Sequence, residues 1–263
     1  MTRLKKQDEL SDNLLQSFMR EFYGYGNPAG KWWFIGMEEA GGRNLEEVHL
    51  RLNTWESLGR KTHVDICEYN CRIGRDFRFI PDRPSLSRTW AGLIRVLLSA
   101  HGQNPEREAV RNYQKHSLGR IKGDTYLVEL LPLASPDAKK WFYGGWFPKL
   151  PYLKSRDDYE REVRPYRIER LKRLVKKYRP RNVLFYGKKN TEYWEQIAGG
   201  SFKKESNESR SIGVRRTHDQ IFVSMDHPVA HGLTIPDFQA VGRWFANKKV
   251  SLPEVQREFY ESI

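Results

Sequence analysis

The sequence has few cysteines, no long apolar run and no apolar leader. Cys67 and Cys71 are its only two cysteines, which excludes a framework of several disulfides and favours a reduced, cytoplasmic protein. No apolar segment approaches the roughly 20 residues that cross a bilayer, and the first residues contain no apolar signal core. We therefore expect a soluble cytoplasmic protein that does not interact with membranes.

Acidic residues are also scarce relative to basic ones. The chain has 33 Asp and Glu against 46 Lys and Arg, a formal net charge of +13. This excess favours a polyanionic partner, nucleic acid first, although charge that serves solubility alone is the simpler alternative. The 8 Trp, 13 Tyr and 13 Phe add rings among the cations, a composition that suits stacking on bases.

Four short apolar runs predict the strands of a parallel sheet. They are Trp32–Ile35, Thr125–Leu131, Asn182–Tyr186 and Gln220–Met225. Segments with apolar residues at helical spacing separate and follow them, the last two at 236–247 and 252–263. The pattern predicts a single α/β domain over 1–263, with a central four-stranded, mostly parallel sheet flanked by helices. Inserted loops are expected near 60–84, 137–156 and 199–216.

Polar residues lie at the carboxyl end of each predicted strand, where open α/β sheets bind their ligands. Glu38 and Glu39 follow the first strand, and Glu129 lies inside the second. Gly187 and two lysines follow the third strand, and His227 follows the fourth. Convergence of these groups at one edge predicts a site. The alternatives are a turn with two solvated glutamates and a structural histidine.

Two further segments have a functional and a plain interpretation. Residues 72–84 combine four arginines with Phe77 and Phe79, which suits either stacking and phosphate contacts or a cationic surface loop. His63, Cys67 and Cys71 recur every four residues, as on one face of a helix. No fourth ligand accompanies them, so ordinary packing is favoured over a metal site.

The motifs, in this order and at these strand ends, resemble those of the uracil-DNA glycosylase superfamily. Gly36–Gly41 is similar to its first motif, which has a glycine, a variable residue, a catalytic Asp or Asn, a proline, and then Tyr or Gly. Leu127–Pro132 resembles the strand that supplies a base-reading Asn. Gly187–Lys188 resembles the phosphate-binding Gly-Ser turn, and His227–Pro228 the His-Pro-Ser motif. The resemblance covers about residues 30–245.

The resemblance implies a monofunctional DNA glycosylase that flips a nucleotide out of duplex DNA and leaves an abasic site. Glu38 or Glu39 would stabilise the sugar cation and orient water, while His227 would stabilise the departing base. The implied base pocket comprises Gly36, Met37, Ala40, Gly41, Phe77, Phe79 and Glu129. The implied DNA contacts are Ser135, Gly187, Lys188, Lys189, His231 and Leu233. A monomer that needs no metal or organic cofactor is expected.

Departures from the family motifs bear on the substrate. Glu38 and Glu39 replace the Asp or Asn and the proline, so which glutamate is catalytic stays open. Ala40 stands where a tyrosine blocks the C5 side of uracil, and with the glycines it would admit a bulky 5-substituent. Glu129 as a carboxylate only accepts hydrogen bonds, which suits the amine of cytosine.

The favoured substrate is therefore a 5-substituted cytosine, such as the glucosylated hydroxymethylcytosine of phage DNA, and the favoured role is antiviral defence. The alternatives are a repair glycosylase for uracil or another deaminated base, a non-catalytic DNA-binding relative, and a magnesium-dependent nuclease.

Overall fold

Over residues 2–137 and 139–248 the sheet contains eight strands, so the prediction of a four-stranded sheet is wrong in extent. The computed structural model describes residues 2–137 and 139–248, with side chains from residue 12. Within these residues the strands are β1 (Gly24–Gly26), β2 (Trp32–Gly36), β3 (His63–Val64), β4 (Thr125–Glu129), β5 (Asn182–Tyr186), β6 (Lys203–Ser206), β7 (Ser211–Arg216) and β8 (Ile221–Met225). Their spatial order is β3-β1-β4-β2-β5-β8-β7-β6. The central four, β4-β2-β5-β8, are mutually parallel and lie at the predicted positions.

The additional strands lie at the two edges of the sheet. On one side β1 pairs antiparallel with β4, and the two-residue β3 pairs with β1. On the other side the segment predicted as an inserted loop near 199–216 forms the β6–β7 hairpin, and β7 pairs antiparallel with β8. Ile212 and Val214 are its buried residues, and two apolar side chains in a polar segment are a weak strand pattern.

Helices cover both faces of the sheet. Those in the described residues are α1 (Thr2–Glu21), α2 (Leu45–Ser57), α3 (Ile66–Arg72), α4 (Arg88–Ala100), α5 (Arg107–His116), α6 (Tyr143–Trp146), α7 (Arg156–Tyr178), α8 (Thr191–Ala198) and α9 (Ile235–Asn247). Along β2, Trp32 and Phe34 face a core built with α1, α2, α4 and α9. Trp33 and Ile35 face a second core built with α7 and α8. Since both faces are buried, every residue of this strand is apolar or glycine. The helix predicted at 252–263 lies outside the described residues.

The other two predicted insertions also contain regular structure. Residues 60–84 contain β3 and α3, and residues 137–156 contain α6. The prediction that His63 lies on one helix face with Cys67 and Cys71 is wrong, because His63 lies on β3. These two cysteines are free thiols on α3, with sulfur atoms 3.9 Å apart. Among the described residues, no group of three or more His, Cys, Asp or Glu is arranged to hold a metal ion. No helix in the same part of the chain is long and apolar enough to span a membrane.

Candidate active site

Gly36, Glu129 and Tyr186 meet on one face of the sheet at the carboxyl ends of three adjacent strands. Gly36 is in register with Glu129, and Tyr186 ends the strand on the other side of β2. A Cβ atom at position 36 would lie 2.2 Å from the Tyr186 ring. The tyrosine ring therefore uses the space above Gly36 to cross β2, and its hydroxyl donates to Glu129 Oε1 at 2.7 Å. Tyr186 is a site residue that the sequence analysis missed.

Glu129 retains its proton to unusually high pH. Its second oxygen, Oε2, is buried and has no hydrogen-bond partner. Burial raises the pKa of Glu129 to about 8, opposed by the Tyr186 hydrogen bond and reinforced by the charges of Glu39 and Glu38. Glu129 is thus mostly a neutral acid at pH 7, which both donates and accepts. The sequence-based view of Glu129 as an acceptor alone does not hold near neutral pH.

His227 lies beside this pair, just beyond β8. The centroid of its ring is 5.4 Å from that of Tyr186, with the two rings edge to face. Its Nδ1 accepts from the backbone N–H of Val229 at 3.3 Å, and burial lowers the pKa of the imidazole. Since Nδ1 is the acceptor, the proton of the neutral ring lies on Nε2. His227 is therefore arranged as a neutral hydrogen-bond donor.

Glu38 has one oxygen engaged and one without a partner. Oε1 lies 2.5 Å from the guanidinium of Arg156, the first residue of α7. Oε2 is buried and has no hydrogen-bond partner. Burial raises the pKa of Glu38, whereas Arg156 opposes the shift and favours the carboxylate. When Glu38 is ionised, an oxygen with no protein partner can orient a water molecule or stabilise a developing cation.

Glu39 has both oxygens occupied. Oε2 lies 2.9 Å from Arg51 Nη1 and accepts from the Tyr25 hydroxyl at 2.9 Å. Oε1 lies 3.1 Å from Arg75 Nη1, and Glu47 bridges the same two arginines. Burial alone would raise the pKa of Glu39, but Arg51 and Arg75 lower it below its ordinary value. This geometry is that of a structural anchor, whereas Glu38 keeps a carboxylate oxygen without a partner.

The glycines after Glu39 are required by packing. Gly41 has φ +150°, and a Cβ there would lie 2.4 Å from Arg51 Nη2. Gly42 has φ +64°, and a Cβ there would lie 2.2 Å from the Ala134 carbonyl oxygen. Protein atoms fill the space that these glycines leave, so the expectation that they enlarge the base pocket is wrong. Ala40 is exposed, and its small side chain remains as the sequence feature that would admit a 5-substituent.

The residues expected to contact phosphates differ in how exposed their side chains are and in whether they already have protein partners. Ser135 is only 3% exposed, and its hydroxyl donates to the Asp137 carbonyl at 2.8 Å. Lys188 Nζ is engaged with the Asp226 carboxylate at 2.9 Å and with the Ser211 carbonyl. The adjoining Lys189 is exposed, and Gly187 adopts φ +101° where the turn begins. In this turn Lys189 is the cation presented to solvent, while Ser135 serves internal packing.

The aromatic pair in the arginine-rich loop divides between the surface and the core. Phe79 is 2% exposed and packs against Trp90, whereas Phe77 is 45% exposed. Of the two rings expected to stack on a base, only Phe77 is exposed enough to do so. Arg78 lies over both Phe77 and Trp90, at 5.1 and 5.5 Å from the ring centroids. Arg75 connects this loop to Glu39.

In the loop after β8 the exposed apolar residue is Val229, whereas Leu233 was the apolar residue expected to contact DNA. Leu233 packs partly against the core, while Val229 is 42% exposed. His231 is exposed. Arg210, from the β6–β7 hairpin, braces this loop by donating to the Gly232 carbonyl and pairing with Asp237 at 2.9 Å.

Tyr186 and Arg156 are the two site residues that the sequence patterns did not reveal. Tyr186 is the last residue of an apolar strand. Its position at the same end of the sheet as Glu129 and His227 could have indicated that it belongs to the site. Arg156 has no such signal, because its contact with Glu38 arises from the packing of α7. Comparison with protein-family models and with curated proteins gave no match to this chain.

Proposed function

We propose that the protein is a monofunctional DNA glycosylase that excises a modified pyrimidine. The observation that carries this proposal is the convergence of Glu38, Glu129 and His227 at the carboxyl ends of the central parallel strands. Glu38 is paired with Arg156 through one oxygen, Glu129 is a neutral acid, and His227 is a neutral donor. Hydrolysis of an N-glycosidic bond needs a carboxylate at the sugar and donors at the departing base.

The chemical step follows from these states. The bond between C1′ and the base nitrogen breaks, and its electron pair leaves with the base. The Glu38 carboxylate stabilises the cationic sugar and orients a water molecule, whose oxygen adds to C1′ and whose proton passes to solvent. His227 Nε2–H donates to the base oxygen on which negative charge develops. The base then takes a proton from solvent, and an abasic site remains.

The base is recognised after it has been flipped out of the duplex. Glu129 Oε2 is free of protein partners and offers one hydrogen bond to the edge of the base. Phe77 supplies an exposed ring for stacking. The small Ala40 would admit a 5-substituent, and the proposed substrate is a 5-substituted cytosine, the glucosylated hydroxymethylcytosine of phage DNA, with antiviral defence as the role. A neutral Glu129 also accommodates uracil, which is the second candidate.

The test uses four duplexes of one sequence that carry uracil, cytosine, hydroxymethylcytosine or its glucosylated form at one position. Each is incubated with the protein in EDTA and then treated with alkali to cleave abasic sites. Cleavage only of the glucosylated duplex is expected, and Glu38→Gln should abolish it. Cleavage only of the uracil duplex would favour the second candidate.

Two other outcomes would replace the proposal. Strand breaks that appear without alkali when magnesium replaces EDTA indicate a nuclease. Tight binding to DNA without cleavage of any duplex indicates a DNA-binding protein that lacks this chemistry. The exposed Arg173→Gln on α7 serves as the control for nonspecific effects of lost charge.

A further inference from the structure

Arg156 is fixed from three directions where it contacts Glu38. Its Nη2 lies 2.5 Å from Glu38 Oε1, and its Nη1 donates to Ser135 Oγ at 3.2 Å. Its Nε lies 2.9 Å from Glu160 Oε1, one turn further along α7. The guanidinium also lies 5.9 Å from the Trp141 ring centroid. With only 16% of its side chain exposed, Arg156 has little freedom to move independently of these partners.

Glu160 is held in turn by the next turn of the helix. Arg164 pairs with Glu160 Oε2, and its Nη1 donates to the Tyr193 hydroxyl at 2.7 Å. The Arg164 guanidinium also lies 4.3 Å from the Tyr193 ring centroid. Glu38, Arg156, Glu160 and Arg164 thus form a row of alternating charges in which each cation contacts a carboxylate. Networks of this kind hold a side chain more rigidly than an isolated surface pair.

We propose that Arg156 is a positioning residue that fixes the orientation of Glu38 and stabilises its charge, leaving Oε2 directed at the reacting sugar. This inference rests on the proposed function. It explains why Glu38 keeps one oxygen free although an arginine lies beside it: Arg156 reaches Glu38 through Nη2 alone, because its Nε is engaged by Glu160 and its Nη1 by Ser135. A bidentate pair would have engaged both oxygens of Glu38 and left none for the reaction.

Arg156 is also the cation that opposes the effect of burial on the pKa of Glu38. The other titratable groups that interact with Glu38 are Glu129 on β4 and Tyr143 on α6, with the neighbouring Glu39 on the same loop and Glu160 beyond Arg156. These groups are acids or a phenol, so none of them is a cation that would stabilise the Glu38 carboxylate. Loss of Arg156 should therefore raise the pKa of Glu38 further, since burial acts in the same direction.

The experiment compares Arg156→Gln, Arg156→Lys and wild type in single-turnover cleavage of the substrate duplex between pH 5 and 9. Arg156→Gln should lower the rate at pH 7 roughly 100-fold, with less than about threefold change in DNA Kd. Its acid limb should move to higher pH by about one unit. Arg156→Lys, which restores charge, should recover at least about a tenth of the wild-type rate. Arg161→Gln, on the exposed side of α7, is the matched control and should match wild type.

A measurement without substrate separates this inference from the proposed function. The ¹³C carboxyl resonance of Glu38, assigned with Glu38→Gln, is titrated in wild type and in Arg156→Lys and Arg156→Gln. A higher midpoint in Arg156→Gln supports the inference, and Arg156→Lys carries the test if the glutamine variant does not fold. Absence of cleavage by wild type overturns the proposed function. An active wild type with the same midpoint and acid limb in Arg156→Gln overturns the role of Arg156 alone.

Discussion

Glu129 couples folding to pH. An unfolded glutamate loses its proton near 4.5, whereas burial raises the pKa of folded Glu129 to about 8. Between these values the folded state binds more protons than the unfolded state, so this group's contribution to stability falls as pH rises. Its contribution is greatest below pH 4.5 and is lost by pH 8.

Glu129→Gln should remove this dependence. Relative to wild type, the variant should become more stable by up to about 4 kcal/mol between pH 5 and pH 8, the upper bound set by the shift in pKa. Urea denaturation at both pH values measures the difference. Glu169→Gln, at an exposed position, should show no such trend. A Glu129→Gln difference that is constant with pH would mean that Glu129 is ionised in the folded protein.

The adjacent glutamates should separate into a reactive and a structural residue. Glu39→Gln removes the nearer of the two carboxylates that pair with Arg51, which is 6% exposed, and leaves Glu47 to balance both Arg51 and Arg75. It should lower the free energy of unfolding by about 3 kcal/mol. Glu38→Gln leaves Arg156 paired with Glu160, so it should abolish base excision with a loss of stability of about 1 kcal/mol or less.

Denaturant titrations and single-turnover cleavage on the same preparations measure both effects. Full activity in Glu38→Gln, together with a folded but inactive Glu39→Gln, would reverse the assignment.

Sequence reasoning located Glu38, Glu129 and His227 because each directly follows or interrupts an apolar strand. It could not choose between the two glutamates, since the choice depends on which arginines reach them. Arg51 and Arg75 come from α2 and from the arginine-rich loop, and Arg156 comes from α7. These partners are distant in sequence, and only the tertiary packing brings them to the site.

At the level of elements, one buried arginine joins β4 to two helices. Arg167 on α7 is 0% exposed and donates to the carbonyl groups of Phe22, Glu129 and Leu130 at 2.6–2.9 Å. Its guanidinium lies 3.9 Å from the Tyr23 ring centroid. Buried carbonyl groups need donors, so Arg167 satisfies these three and fixes the end of β4 that bears Glu129.

Arg167→Met should therefore destabilise the protein by about 3 kcal/mol or more, because three buried carbonyl groups lose their donors. Arg173→Met on the exposed side of the same helix should change stability by about 0.5 kcal/mol or less. Thermal and urea unfolding measure both variants. A loss below about 1 kcal/mol for Arg167→Met would show that water or another donor replaces the guanidinium.

The elements that the sequence predicted well are those buried on both sides. The central strands are continuous apolar runs whose residues are almost all buried. The edge strands escaped prediction because they are short or largely polar. In β6 every residue is exposed or partly exposed, so hydrogen bonding to β7 rather than a hydrophobic pattern defines it.

For the whole molecule, the net charge of +13 predicts DNA affinity that falls steeply with salt. Arg78 is the strongest candidate for an individual phosphate contact near the site. Its Nη1 is buried without a partner, and burial together with repulsion from Arg75 lowers its pKa. An anion bound beside this guanidinium would relieve both penalties.

Arg78→Gln should weaken binding to all duplexes and reduce the slope of log K against log salt by about one. Arg179→Gln removes the same charge beyond the C-terminus of α7, at the opposite edge of the sheet, where Arg179 pairs with Asp219. It should leave the slope nearly unchanged. Fluorescence anisotropy over a series of salt concentrations measures both, and equal slopes for the two variants would place the phosphate contacts elsewhere.

The central position of β2 has a consequence for synthesis of the chain. Trp32 pairs with Thr125 on one side and with Asn182 on the other, so β2 leaves the ribosome long before either neighbour. Until the chain has been extended through β5, one edge of this apolar strand has no partner. Open apolar edges associate with other chains. The strand that leads to Glu38 is therefore open to pairing with other chains while translation continues.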